Sequence, residues 1–226
     1  MVNEAVWKKL HDELSSKDVT LVAVSKTKPV ADIQALYDLG QRDFGENYVQ
    51  ELVDKQAVLP NDIRWHYIGH LQSNKVKYIA PFVHLVHAVD SFKLLQEINK
   101  QAAKNGRVID VLLQAHIANE ETKFGLDEKE IIELLDYYTA QQDAMKNVRI
   151  CGLMGMATNT DNEQQIRFEF DRLYAVFKNL SQSYFLGNQY FSTVSIGMSS
   201  DYSIAIAAGG NMVRIGSLLF GERNYA

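Results

Sequence analysis

The chain reads as an α/β protein: a single (β/α)8 barrel, residues 1–226, with one extra helix ahead of the first strand. Three observations lead there. Eight short apolar runs alternate with stretches of helical periodicity. Most runs, such as Leu21-Val22-Ala23-Val24, are continuously apolar instead of alternating, as strands buried on both faces of a parallel sheet must be. A chain of 226 residues also has the length that eight βα units need. A doubly wound open sheet is the competing arrangement. With three prolines and no low-complexity or charge-block segment, the sequence offers no interdomain linker.

Each element follows from its pattern. Val6, Leu10 and Leu14 recur at four-residue spacing and predict an amphipathic helix over 2–15. Strand one is expected at 19–25. Ile33, Leu36 and Tyr37 mark a helix from Val30 that Gly40 ends. Asp43 to Asn47 gives a short second strand and its exit loop, and a helix runs from about Tyr48 to Ala57. Arg64 to Gly69 is the third strand, after which Ser73 is expected to cap a helix through Val76 and Ile79. Val83 to Val89 is the fourth strand. Ser91 caps a helix carrying Leu94, Leu95 and Ile98, and Gly106 closes it. Val108 to Ala115 is the fifth strand. Asp127 and Glu130 form a capping box ahead of Ile131, Ile132, Leu134 and Leu135. Val148 to Met154 is the sixth. Ile166, Phe170, Leu173 and Phe177 predict a long helix over 161–181. Phe191 to Ile196, a short helix from Ser200 to Ala208, and Met212 to Ile215 complete the series.

Composition excludes several function classes. The net charge of −5 argues against a nucleic-acid partner, whose phosphates call for a basic face. Cys151 is the sole cysteine, so neither an intrachain disulfide nor a Cys-based zinc site is expected; it reads as a small buried apolar residue. No apolar run approaches the roughly 18 residues of a membrane helix. Glu4, Lys8 and Lys9 break up any signal peptide. A cytoplasmic, monomeric protein is the expectation.

Two features carry chemistry. Lys26 stands where strand one ends, just before Pro29 stops the ladder. Desolvation at the mouth of a buried strand disfavours an ammonium, and the free amine can attack an aldehyde to form a Schiff base. A solvated strand-end lysine is the alternative. In this fold, phosphates sit in the loops after strands seven and eight. Ser195-Ile196-Gly197-Met198-Ser199-Ser200 and Arg214-Ile215-Gly216-Ser217 fall at those places. Their glycines allow close approach of backbone N–H groups to an anion. An aldehyde carrying a phosphate suits both ends, and pyridoxal phosphate is such a molecule.

Five motifs now stand in one order: Ala23 to Pro29, Phe44 to Glu51, Trp65 to Lys75, Ser195 to Ser199 and Val213 to Gly216. Together they resemble the YggS/PROSC group of pyridoxal phosphate homeostasis proteins, from about residue 19 to 221. The resemblance implies the barrel of the alanine racemase N-terminal domain, with pyridoxal 5'-phosphate as cofactor. It implies that Lys26 holds the cofactor as a Schiff base, and that Ser195, Gly216 and Ser217 bind its phosphate. It further implies that Arg214 faces the pyridine nitrogen, that Asn47 lies beside the ring and that Met154 packs on it. His116 and Asn211 depart from the residues common in that group (Asn and Thr).

Other residues compete for attention. His66 could shuttle protons, though an interior histidine with satisfied bonds explains it as well. Lys28 could bind phosphate or remain solvated. His84 and His87, three apart on a strand, would lie on opposite faces and make a poor metal pair. The Glu120-Glu121 pair reads as a solvated loop.

The resemblance implies a cofactor carrier serving apo-enzymes. Alanine racemase takes its second acid–base tyrosine from a C-terminal β-domain, and this sequence ends soon after the eighth strand. A guanidinium is donor-only, so Arg214 would leave the pyridine nitrogen unprotonated and weaken the ring as an electron sink. A weak amino-acid racemase and a Schiff-base aldolase are the alternative readings.

Overall fold

Eight parallel strands close on themselves in sequence order: β1 (Thr20–Val24), β2 (Asp43–Glu46), β3 (Arg64–Tyr67), β4 (Leu85–Val89), β5 (Ile109–Gln114), β6 (Val148–Met154), β7 (Thr193–Ser195) and β8 (Met212–Ile215). Closure is made by β1 against β8, with Thr20 opposite Met212 and Ala23 opposite Ile215. The open-sheet alternative is thereby excluded. The computed structural model describes residues 2–118 and 124–221, so the Glu120-Glu121 pair lies outside the described residues.

Helices connect the strands and cover the barrel: α1 (Glu4–Ser15), α2 (Val30–Asp38), α3 (Val49–Gln56), α4 (Val76–Ile79), α5 (Phe92–Lys104), α6 (Glu128–Ala140), α7 (Glu163–Ser183), α8 (Tyr202–Ala207) and α9 (Ser217–Phe220). Their starts follow local chemistry. The side chain of Asn3 accepts from the Val6 N–H, and that of Ser91 from the Leu94 N–H. Asp127 and Glu130 make the reciprocal capping box expected of them. Gly40 and Gly106 follow α2 and α5 at φ +112° and +62°, the left-handed backbone that lets a helix stop without Cβ strain.

Two cores result. The larger lies between barrel and helices. In α7, Ile166, Phe170, Leu173 and Phe177 bury there, each contributing about 1.5–3 kcal/mol of transfer free energy. The smaller core gathers Val22, Leu85, Leu112, Cys151 and Met154 from strands all round the sheet, so it fills the barrel interior. Burial pushes the Cys151 thiol up to about 12, in keeping with an inert packing role.

One local expectation changes. Ser73 does not cap a helix: it opens a 3-10 turn, Ser73–Lys75, that leads into the short α4. Of the four apolar residues that follow the capping box, Ile132 is 38% exposed. Ile131, Leu134 and Leu135 share one face at i, i+3, i+4 spacing, and Ile132 is rotated away from it.

Candidate functional site

A cavity of about 440 Å³ opens at the C-terminal ends of the strands, the face that carries active sites in this fold. Lys26 and Lys28 reach it from the β1 exit and Asn47 from the β2 exit. Arg214, Gly216 and Ser217 line it from β8 and its exit, next to β1, with Ser199 and Ser200 of the loop after β7. Lys26, Asn47, Arg214, Gly216 and Ser217, far apart in sequence, thus share one lining.

Two expected residues lie below it. Ser195 is fully buried, and its hydroxyl is already bonded to Arg214 Nη1 at 2.7 Å and to His87 Nδ1 at 3.0 Å. Ser199 and Ser200, further along the same loop, line the cavity instead. Met154 belongs to the interior core at 1% exposure. Its strand stops there, and Met156, two residues on, reaches the cavity. The period of two that defines a strand face was the available signal for that shift.

The Lys26 turn is held from beneath. Thr27 has φ +62°, a costly conformation for a β-branched residue. Its N–H donates to Glu51 Oε1 at 2.6 Å. Glu51 Oε1 in turn accepts from Lys55 Nζ at 2.7 Å, and the same ammonium donates to Glu46 Oε1 and to the Ser25 carbonyl. Ser25 Oγ donates to Glu46 Oε1 at 2.6 Å. Burial pushes the Glu46 carboxyl up, against the pull of Lys55. Lys28 Nζ donates to the Phe220 and Gly221 carbonyls, tying the β1 exit to the end of α9.

Asn47 is held equally closely. Tyr67 Oη lies 2.9 Å from its carbonyl, and a Cβ at Gly69 would come within 2.4 Å of that oxygen. Burial pushes the Tyr67 phenol up to about 12, keeping it a donor. The Asn47 Oδ1 atom is buried and has no hydrogen-bond partner. Such an orphan costs about 1–3 kcal/mol unless a ligand satisfies it.

Arg214 is 4% exposed. Its Nη1 donates to the carbonyl and hydroxyl of Ser195, and its Nη2 to the Gly155 carbonyl at 2.9 Å. Burial lowers its pKa to about 10, with Asp201 opposing the shift. Below it, His87 Nε2 and His66 Nδ1 are 2.9 Å apart, and His66 Nε2 meets Asp43 Oδ1 at 3.0 Å. Burial, then His66, Arg214 and His84, hold the His87 pKa well below its ordinary value. Burial works to raise the Asp43 carboxyl. Hydrogen bonds from Arg64 and His66 overcome that and hold it well below the usual range.

His84 and His87 do separate, as their spacing predicted: His84 is exposed and His87 fully buried. Unforeseen was the approach of Asp43, His66 and His84, whose potential ligand atoms lie within 4.8 Å of one another. Arg64 already grips both oxygens of Asp43, placing a cation where a metal would have to bind. Asn211, one of the two sequence departures, anchors the start of β7 through Val194 N–H and the Ser192 carbonyl, away from the cavity. Among the described residues, no helix is long and apolar enough to cross a membrane.

Comparison with known proteins agrees with this architecture. Residues 4–224 match the family model of the alanine racemase N-terminal domain. A pyridoxal phosphate homeostasis protein of Aquifex aeolicus is 40% identical over 206 residues, 91% of this chain and 87% of that protein. The Escherichia coli K12 protein of the same description is 39% identical over 217 residues, 94% of this chain and 89% of its own. The structure of PipY from Synechococcus elongatus PCC7942 with PLP bound superposes at TM-score 0.83. It is 33% identical and covers 96% of this chain and 100% of its own. An alanine racemase from Streptomyces coelicolor, 16% identical, shares the barrel at TM-score 0.75, over 97% of this chain but 58% of its own. The chain belongs to the pyridoxal phosphate homeostasis protein family, built on the barrel of the alanine racemase N-terminal domain.

Proposed function

We propose that this protein binds pyridoxal 5'-phosphate in the Lys26 cavity and serves as a cytoplasmic, monomeric carrier that passes it to apo-enzymes. One observation carries the reading: a lysine, a buried arginine and a hydroxyl-rich glycine loop converge on one cavity. The bound cofactor supplies an aldehyde for Schiff-base formation and a ring that can accept electrons. Lys26 would hold the aldehyde carbon. Ser199, Ser200, Ser217 and the Gly216 backbone would hold the phosphate, in place of the buried Ser195. Asn47 would satisfy its orphan amide oxygen on a polar group of the bound molecule, and Met156 would pack where Met154 was expected. Arg214, a donor without an acceptor, would face the pyridine nitrogen and keep it unprotonated. That favours retention and release over turnover. The names of the homeostasis relatives and the cofactor in PipY support the same reading.

The purified protein tests it. Addition of pyridoxal phosphate should give a visible Schiff-base band that Lys26→Ala abolishes. Pyridoxal should bind at least roughly tenfold more weakly, since charge-assisted hydrogen bonds contribute about 1.5–3 kcal/mol each. The loaded protein should activate an apo-enzyme while racemising alanine only in traces. Alanine racemisation on the order of 10 s⁻¹ would make it an enzyme instead.

A further inference from the structure

An apolar barrel interior holding an aspartate, two histidines and a serine calls for an explanation. Asp43, His66, His87 and Ser195 are each 8% exposed or less. Unpaired, each such group would be expensive to bury. Instead they join end to end. Arg214 bonds Ser195, Ser195 bonds His87, His87 bonds His66 and His66 bonds Asp43, over distances of 2.7, 3.0, 2.9 and 3.0 Å. The path crosses the barrel. It leaves β8 and β7 and meets β4, which neighbours neither, then passes through β3 to β2.

Elementary donor and acceptor rules give this chain one direction. Arginine only donates, so Ser195 Oγ accepts from it and keeps its own proton to point at His87 Nδ1. That nitrogen is then the acceptor, and in a neutral ring the proton sits on Nε2. His66 Nδ1 accepts it, which leaves the His66 proton on Nε2, aimed at Asp43. Asp43 is ionised and only accepts; Arg64 holds both its oxygens. A donor-only cation at the cavity and an acceptor-only anion at the far mouth are thus joined by four aligned, fully used hydrogen bonds. Each bond polarises the next in the same sense.

We propose that Ser195, His87 and His66 are positioning residues, a one-way hydrogen-bond chain anchored on Asp43 that fixes the pose in which Arg214 meets the cofactor ring. The chain commits both Nη1 protons of Arg214 inward, to the Ser195 carbonyl and hydroxyl. Nη2 gives one proton to the Gly155 carbonyl, which leaves its other proton and the Nε–H as the donors available to a ligand. A proton added to His87 would turn Nδ1 into a second donor at Ser195 Oγ and set two cations against one oxygen. The inference rests on the cofactor reading above, and its test separates the two.

In the apo-protein at neutral pH, nitrogen-15 spectra of the imidazoles should show His66 and His87 neutral, both protonated on Nε2. Ser195→Ala should perturb the His87 Nδ1 signal. In the loaded protein, His87→Leu should shift the absorption band of the bound cofactor. It should also weaken pyridoxal phosphate binding roughly threefold to tenfold, the range for one lost hydrogen bond. His87→Gln, which keeps an acceptor and a donor, should restore both values. Borohydride labelling of Lys26 should remain complete in all three. An imidazolium or an Nδ1 proton at His87 in the wild-type protein overturns the chain, whether or not the leucine variant folds. So does a leucine variant with unchanged band and affinity. A wild-type protein that forms no band contradicts the cofactor reading, and the apo-protein spectra still decide the chain.

Discussion

The two walls of the cavity are supported by opposite devices. Under Lys26 lies a compact ionic knot: Lys55 between Glu46 and Glu51, held by Ser25 and gripping the strained Thr27 turn. Under Arg214 runs an extended chain of hydrogen-bonded side chains that ends on a paired aspartate. In the knot, burial prevails and pushes the Glu46 carboxyl up; in the chain, the combined pull of Arg64 and His66 outweighs burial and holds the Asp43 carboxyl down. The contrast teaches where each wall is stressed. The knot stores unfavourable burial next to the residue proposed to form a covalent bond. The chain is satisfied throughout and sits beneath a residue proposed only to donate hydrogen bonds.

The largest expected effect comes from breaking the knot. Lys55→Met removes the cation between two carboxylates and strands Glu46 in the core, so stability should fall by about 3–5 kcal/mol in urea denaturation. A loss under about 1 kcal/mol would mean that the knot does not hold the Lys26 turn. Breaking the far end of the chain should cost less. Asp43→Asn leaves His66 and Arg64 without their carboxylate, for about 1–3 kcal/mol in the same assay.

The sign of the pH dependence separates the two regions more sharply. Asp43 is depressed in the folded state, so its contribution is present above the unfolded value of about 3.9. It is lost as pH falls below that value towards the folded one. Glu46 is raised, so its effect has the opposite sign. Stability is lost as pH rises from the unfolded value of about 4.3 through the folded pKa. Stability measured against pH should therefore lose its acid limb in Asp43→Asn and its decline on the rising side in Glu46→Gln. Identical profiles for the two variants would erase the distinction.

The smallest effect tests strain. Thr27→Gly relieves a left-handed conformation that costs about 1–3 kcal/mol, offset by the entropy of glycine in the unfolded chain. A net gain of roughly 1 kcal/mol in stability is expected, together with slower borohydride trapping as the Lys26 turn loosens. Unchanged stability would remove strain from the account of this wall.

The sequence made the barrel legible because its strands are apolar runs and its helices carry caps such as Asp127 and Glu130. It also made legible the convergence of Lys26, Asn47, Arg214, Gly216 and Ser217, since barrel topology brings every strand exit to one face. Depth was harder to read. Whether a serine in a loop motif lines the cavity or lies below it depends on where β7 ends, and Ser195 fell on the buried side. Met154 lies below the cavity for the same reason, one pleat short of Met156. The knot and the chain were invisible for a different reason. Lys55 looks like an ordinary residue in a charged helix, and His66 and His87 acquire meaning only when β4 faces β7 across the interior.

The claim that matters most is that one lysine, at the end of β1, is the covalent anchor. Borohydride reduction of the loaded protein, followed by proteolysis and mass mapping, measures this directly. The account predicts one pyridoxyl group per chain, on Lys26. A label on Lys28 or Lys75 at full stoichiometry would contradict it.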